Sequence, residues 1–321
     1  IGNVTRHRRA SVIIETSEGY RKVEVPAISG ETIAHAYQES LVRVANIIYN
    51  GKPPICKWCL RGEFFKEMDQ AHMIEEVKKI TGEKEEYAHS FEKIVVAKCL
   101  VEDIGGFLKA ERPPVRRTSR FQVGYMLPAM SDLKAATLEP QFHVRHAPSL
   151  VGRETEMPES GQAIYYVETG TAVYTGSFSL DLSGIGYTSM VNVEPVVDRE
   201  ERNKRILCAI RALYPVVSGM FGAKRTRFDP DYEVLSAVAS IGKGCPFNVT
   251  SGHYRNFIER TAIRANKLET FGGAFKIIAY AIEEGVSIPN NVDRKDDIED
   301  FISSLVLEAE NLLKGEKQSE T

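Results

Sequence analysis

The chain has 321 residues, 43% hydrophobic and 26% charged, which supplies a substantial core and leaves no long low-complexity tract for wholesale disorder. A formal net charge of −3 argues against general nucleic-acid stickiness, and the longest apolar runs are far too short to cross a bilayer. A soluble, cytoplasmic protein without membrane attachment is expected, and five scattered cysteines fit a reducing compartment better than a disulfide framework.

In residues 11 to 28, SVIIETS and YRKVEVPAIS read as a hairpin broken at Glu18-Gly19. Ser29 can cap a helix over 30 to 49, whose Ile33, Tyr37, Leu41, Val44 and Ile48 recur at helical spacing and define a buried face. From residue 51 to 108 the sequence is charge-rich and helical in pattern, with Met73, Val77 and Ile80 on one face. It reads as a helical insertion into a core made of 1 to 50 and 109 to 321. PPVRRTSRF, residues 113 to 121, then leads into the strand-like FQVGYMLPA and FHVRHA. The polar, glycine-bearing stretch around SLVGRETEMPESGQ has the length of a functional loop, and AIYYVETGTAVYTGSFSLDL is a long β run. Asp198 and Glu201 have capping-box spacing before a helix to about Ser218, with Ile206, Ile210, Leu213 and Val217 as its inner stripe. The strand YEVLSAVAS, a helix over roughly 251 to 266, the strand FKIIAYAIE and the helix DRKDDIEDFISSLVLEAENLL complete the chain. This alternation is the α+β, ferredoxin-like (RRM-like) plan, with helices on one side of one sheet. That plan hosts many functions and decides none.

Cations gather in four groups: RHRR at 6 to 9, RRTSR at 116 to 120, HVRH at 143 to 146 and KRTR at 224 to 227. In two of them arginines alternate with Thr or Ser at the mouth of a strand, and Gly222 precedes the last. Guanidinium forks, hydroxyls and glycine-exposed backbone N–H groups all donate to phosphate oxygens, so the pattern points to a polyanion groove. A single such cluster is ordinarily solvated or ion-paired surface; it is the recurrence that carries the reading. His7, His35, His143 and His146 can in principle act as general acid and base, which keeps open an RNA-processing endoribonuclease using His143 or His7. No local spacing pairs them.

Cys56-Lys-Trp-Cys59 has the spacing that opens many zinc sites, with His72, His89 and Cys99 downstream. A second spaced Cys/His pair is missing, so an apolar turn around the sole tryptophan is the reading adopted, and neither metal nor cofactor is assigned.

The segments IGNVTRHRRASVIIETSEGY, VPAISGETIAHAYQESLV, GGFLKAERPPVRRTSRFQVGYMLPA, QFHVRHA and MFGAKRTRFDPDYEVLSAV closely resemble the backbone subunit of archaeal type I-A CRISPR Cascade complexes, the DevR-like autoregulator family. The resemblance runs in order from residue 1 to about 240. It implies an RRM-like palm with helical and loop insertions, and copies stacked head to tail as a helical filament along the CRISPR RNA. It also implies a non-catalytic role, with other Cascade subunits and a separate helicase-nuclease as partners and the target DNA strand met through the guide. The RNA-contacting positions it implies are Asn3, Arg6, His7, Arg8, Arg116, Arg117, Arg120, His143, Arg145, Lys224, Arg225 and Arg227. Arg116 and Arg117 are expected at the surface, which of the three arginines in RRTSR meets RNA stays open, and residues 147 to 162 are suggested as the clamp. No RNP1-type aromatic consensus is present, so backbone tracking rather than base stacking on the sheet is expected.

Overall fold

The structure is a computed structural model, and it describes residues 4–146, 162–221 and 229–319. Strand β1 (Val4–Thr5) is followed by the hairpin of β2 (Arg9–Thr16) and β3 (Gly19–Pro26). Thr16 pairs with Gly19, so the two-residue turn is Ser17-Glu18, one position earlier than expected. Helix α1 (Gly30–Ile48) buries Ile33, Tyr37 and Leu41 together with Ala36 and Ala45, while Val44 and Ile48 are half-buried. Tyr37 is fully enclosed: its ring meets Phe121 at 4.7 Å and Phe178 at 4.8 Å, and its hydroxyl donates to the Ala209 carbonyl at 2.7 Å.

Residues 51 to 108 contain α2 (Lys57–Leu60), α3 (Lys84–Lys98) and α4 (Leu100–Gly105). The helix expected through Met73, Val77 and Ile80 is replaced by turns and a single 3-10 turn at Val77–Lys79, although Met73 and Val77 are buried. The buried Glu67 carboxylate accepts the Ile74 N–H at 3.2 Å, and such side-chain capture of the backbone competes with helix formation. Phe91, Val95 and Val96 of α3 and Leu100, Val101 and Ile104 of α4 are all buried.

Short strands follow: β4 (Phe107–Lys109) pairs with β5 (Val115–Arg117), and FQVGYMLPA divides into β6 (Phe121–Val123) and β7 (Leu127–Pro128). Gly106 enters β4 at φ 66°, and a Cβ there would overlap the Arg117 carbonyl, so both conformation and space require glycine. FHVRH falls in β8 (Thr137–His146), and the long β run forms β9 (Gln162–Thr171), β10 (Tyr174–Thr175) and β11 (Phe178–Leu180). The Asp198 side chain accepts the Glu201 N–H at 2.9 Å and caps α5 (Arg199–Arg211), which continues after a break as α6 (Leu213–Val217). Ile206, Ile210 and Val216 are buried there. Strand β12 (Ser236–Lys243), helix α7 (Phe257–Leu268), strands β13 (Ala274–Ala281) and β14 (Asp293–Lys295), and helix α8 (Ile298–Ser319) complete the order.

The fold is mixed α and β, and among the described residues the strands form small sheets of two or three. The chain divides into two compact units. The first, Ile1–Gly30, Gly124–Ser177 and Ser251–Arg255, holds the β2–β3 hairpin, the β7–β10 pair and a sheet in which β9 lies between parallel β1 and antiparallel β8. The second, Glu31–Val123, Phe178–Thr250 and Asn256–Thr321, holds the helices, the β4–β5 and β6–β11 pairs and the β12–β13–β14 sheet. Phe257, Ile258, Ala262 and Ala265 recur along one face of α7 and pack on Ile277 and Ala279 of β13. Among the described residues no helix is long and apolar enough to cross a membrane.

Candidate nucleic-acid interface

In the first unit Arg6, His7 and Arg8, between β1 and β2, and Arg9, which opens β2, line one open concavity of about 590 Å³ together with Glu24. Arg6 and Arg8 are exposed. His7 is held: its N–H donates to the Glu168 carboxylate at 3.1 Å, its Nδ1 lies 2.7 Å from the Arg8 carbonyl, and its ring covers Gly170 so closely that a Cβ there would stand 2.8 Å from Nε2. Glu168 of β9 also ion-pairs with Arg9, and the guanidinium bond holds its carboxyl below the usual carboxylate range. One acid therefore neutralises Arg9 and fixes the backbone beneath His7, while Arg6 and Arg8 project to solvent.

His143 lies on β8, its ring stacked on Tyr165 of β9 at 5.0 Å and 12°. Strand alternation puts the next residues on the other face, where Phe142 and Tyr166 meet edge to face at 5.3 Å, 55% and 45% exposed. This aromatic pair was missed in the sequence, although FHV and YYV carry it in plain alternation. Arg145 belongs to β8 but its side chain lies outside the described residues, as do Asn3, Lys224, Arg225, Arg227 and all but the last position of the suggested clamp.

The RRTSR cluster, in the second unit, separates into three different environments. Arg116 points outward from β5. Arg117 does not: its side chain is fully buried, contrary to its expected surface position, because neighbouring strand residues face opposite ways. All five of its N–H donors are used. Nε bonds the Asp103 carbonyl at 2.9 Å, Nη1 the Glu92 carboxylate at 2.9 Å and the Tyr187 carbonyl at 2.7 Å, and Nη2 the Asp103 carboxylate at 2.5 Å and the Gly184 carbonyl at 3.1 Å. Asp103 is shared with the equally buried Arg205 at 2.9 Å. Arg117 is thus a structural cation at the centre of a buried polar network, not a phosphate ligand. Arg120 is intermediate: 14% of its side chain is exposed, it pairs with Asp181 at 3.2 Å, and its guanidinium packs directly on Gly184. Of the arginines in this cluster, Arg116 alone is exposed.

Comparison with known proteins identifies the family of the chain. The family described as CRISPR-associated negative auto-regulator DevR/Csa2 matches residues 1–262. A CRISPR-associated aCascade subunit Cas7/Csa2 of Saccharolobus solfataricus is 39% identical over 315 residues, 95% of this chain and 93% of that protein. A second Cas7/Csa2 protein of that organism is 33% identical over 262 residues, 80% of this chain and 78% of its own. Among solved structures, a chain of a CRISPR RNA-guided surveillance complex captured before nicking shares the fold with a TM-score of 0.52 at 11% identity, covering 93% of this chain and 96% of that one. With the match extending over most of its length, the chain belongs to the CRISPR-associated DevR/Csa2 family.

Proposed function

We propose that this protein is a non-catalytic CRISPR RNA-binding subunit that assembles head to tail along the guide in a cytoplasmic type I-A Cascade-like complex. The guide pairs with the target DNA strand, and cutting falls to a separate helicase-nuclease. The observation that carries the reading is the concavity lined by Arg6, His7, Arg8 and Arg9, in which Arg6 and Arg8 are exposed donors and one acid, Glu24, stands in the wall. Donors of this kind, offered to successive phosphates, hold a strand without reading its sequence. Phe142 and Tyr166 supply π faces that any base can use, an addition to the backbone tracking expected at first. The relative at 39% identity, itself an aCascade subunit, supports the same assembly class. We take the architecture as an RRM-like palm, residues 1 to 50 and 109 to 321, carrying 51 to 108 as an insertion. His7 is occupied in holding the backbone through Arg8, which suits a positioning role better than proton transfer.

The test is RNA affinity against salt with unrelated sequences of equal length. About five phosphate contacts give a log–log slope of roughly −3 to −4. Arg6→Glu with Arg8→Glu should remove most of the binding and RNA-templated assembly. A flat salt dependence, tight binding confined to one sequence, or cleavage of labelled precursor RNA that disappears in His143→Ala or His7→Ala would overturn the proposal, the last in favour of an endoribonuclease.

A further inference from the structure

The cysteine pair that lacks a partner in the sequence has one in the fold. Cys56, Cys59, Cys99 and Glu102 bring one ligand atom each to within 4.8 Å of one another. The missing second pair is Cys99-x-x-Glu102, with the same i, i+3 spacing as Cys56-x-x-Cys59 and a carboxylate in the fourth place. The histidines that seemed to compete are engaged elsewhere. His72 Nδ1 is 2.7 Å from Asp69 and its ring lies on Phe65 at 3.8 Å, while His89 meets Glu194 at 3.1 Å.

Local structure presents all four groups. Cys56 caps α2 and its Sγ accepts the Cys59 N–H at 3.5 Å, the arrangement that holds two thiols of a tight turn on one side. Cys99 is the extended residue between α3 and α4, at φ −134° and ψ 105°, and Glu102 lies in the first turn of α4. The Leu100 N–H donates to the Pro54 carbonyl at 2.7 Å, which pins the two segments together beside the cluster. Cys59, Cys99 and Glu102 are buried and Cys56 half-buried.

One feature of this cluster asks for a cation. Glu102 is 1% exposed; its Oε1 meets the Cys56 thiol at 3.4 Å, but Oε2 is buried with no hydrogen-bond partner. A buried carboxylate oxygen left unpaired is costly, and thiols are weak donors. Zinc held by sulfur at about 2.3 Å in a tetrahedron has ligand–ligand edges of about 3.8 Å, so the cluster needs to contract by about 1 Å at its widest to close around one ion.

We propose that Cys56, Cys59, Cys99 and Glu102 form a structural binding site for a soft divalent metal ion, zinc by preference. Three thiolates select zinc over magnesium or calcium, and four protein ligands leave no open position for catalysis. The thiols release their protons to solvent on binding. Such a site is anionic overall, and the Lys66 ammonium, donating to the Gly105 carbonyl at 2.9 Å, offsets part of that charge. The metal clips the irregular stretch after α1 to the α3–α4 bend, adding to the Leu100–Pro54 backbone hydrogen bond that already joins them.

The full chain, purified under reducing conditions and analysed by elemental mass spectrometry, should carry about one zinc per chain, or take up one on titration. Cobalt in its place should produce thiolate-to-metal charge-transfer absorption. Trp58, the sole tryptophan, sits between two of the ligands, so its fluorescence should shift when a chelator removes the ion. Cys99→Ser and Cys56→Ser should lose the metal, whereas Cys245→Ser, at an exposed cysteine outside the cluster, should keep it. Should the cluster variants fail to fold, the cobalt spectrum of the unmodified chain decides. Absence of that absorption, metal that follows Cys245, or an intact mass two hydrogens low with no metal, the sign of a disulfide, overturns the proposal.

Discussion

Arg116 and Arg117 are adjacent, chemically identical and opposite in role, so alanine at each position should give opposite results. Arg117→Ala deletes five hydrogen bonds and leaves the buried Glu92 carboxylate without its only cationic partner among the described residues, while Asp103 keeps Arg205. Breaking a buried pair from one side costs about 3–5 kcal/mol. At about 2–4 °C of melting temperature per kcal/mol for a unit of this size, the expected drop is about 6–20 °C. Arg117→Lys should recover only part of it, because an ammonium cannot reproduce a five-donor planar fork. Arg116→Ala, at an exposed position, should stay within about 0.5 kcal/mol and melt almost as the parent does. If Arg116 contacts phosphate, its loss lowers the salt slope of RNA binding by about 0.7. The assay is a thermal melt of the three variants beside the unmodified protein, followed by RNA titration of those that fold. Equal melting of Arg117→Ala and the parent, or greater instability of Arg116→Ala, would refute the assignment of inside and outside on β5.

Gly170→Ala should act on the interface without loosening the fold. Its Cβ would meet the His7 ring at 2.8–3.0 Å, so the ring must leave its seat, and losing about 1 kcal/mol of contact weakens RNA binding about fivefold. Unchanged affinity would separate His7 from the RNA surface. Glu92 provides a pH test. Burial pushes its carboxyl up, but hydrogen bonds from Ser189 and Met190, and from Arg117, outweigh this and hold it below the ordinary range. Its contribution is therefore complete above the unfolded carboxylate value of about 4.3 and is lost as pH falls through the lower folded value. The melting difference between Glu92→Gln and the parent should be constant near neutrality and shrink below about pH 4; a gap unchanged at pH 3 would contradict it.

Much of this protein follows from local sequence because the causes are local. The Asp198 cap needs a backbone N–H three residues on, the α1 face needs only helical periodicity, and the β2–β3 hairpin needs alternation and a turn. The exposure of Arg6 and Arg8 in RHRR likewise needs no distant partner, which is why they stand out as candidate phosphate donors from sequence. Other properties depend on what lies far along the chain. Whether Arg116 or Arg117 points inward is a matter of strand parity, which Glu92, Asp103 and the carbonyls of Tyr187 and Gly184 decide by accepting one guanidinium from segments up to 70 residues away. Arg205 was hidden within an apolar stripe that names Ile206 and Ile210, because a buried charge is tolerable only where acceptors converge. Cys99-x-x-Glu102 became visible as the second half of a metal site only when the α3–α4 bend came to rest on the CKWC turn. Charge and periodicity are properties of neighbours in sequence; satisfaction of a buried group is a property of neighbours in space.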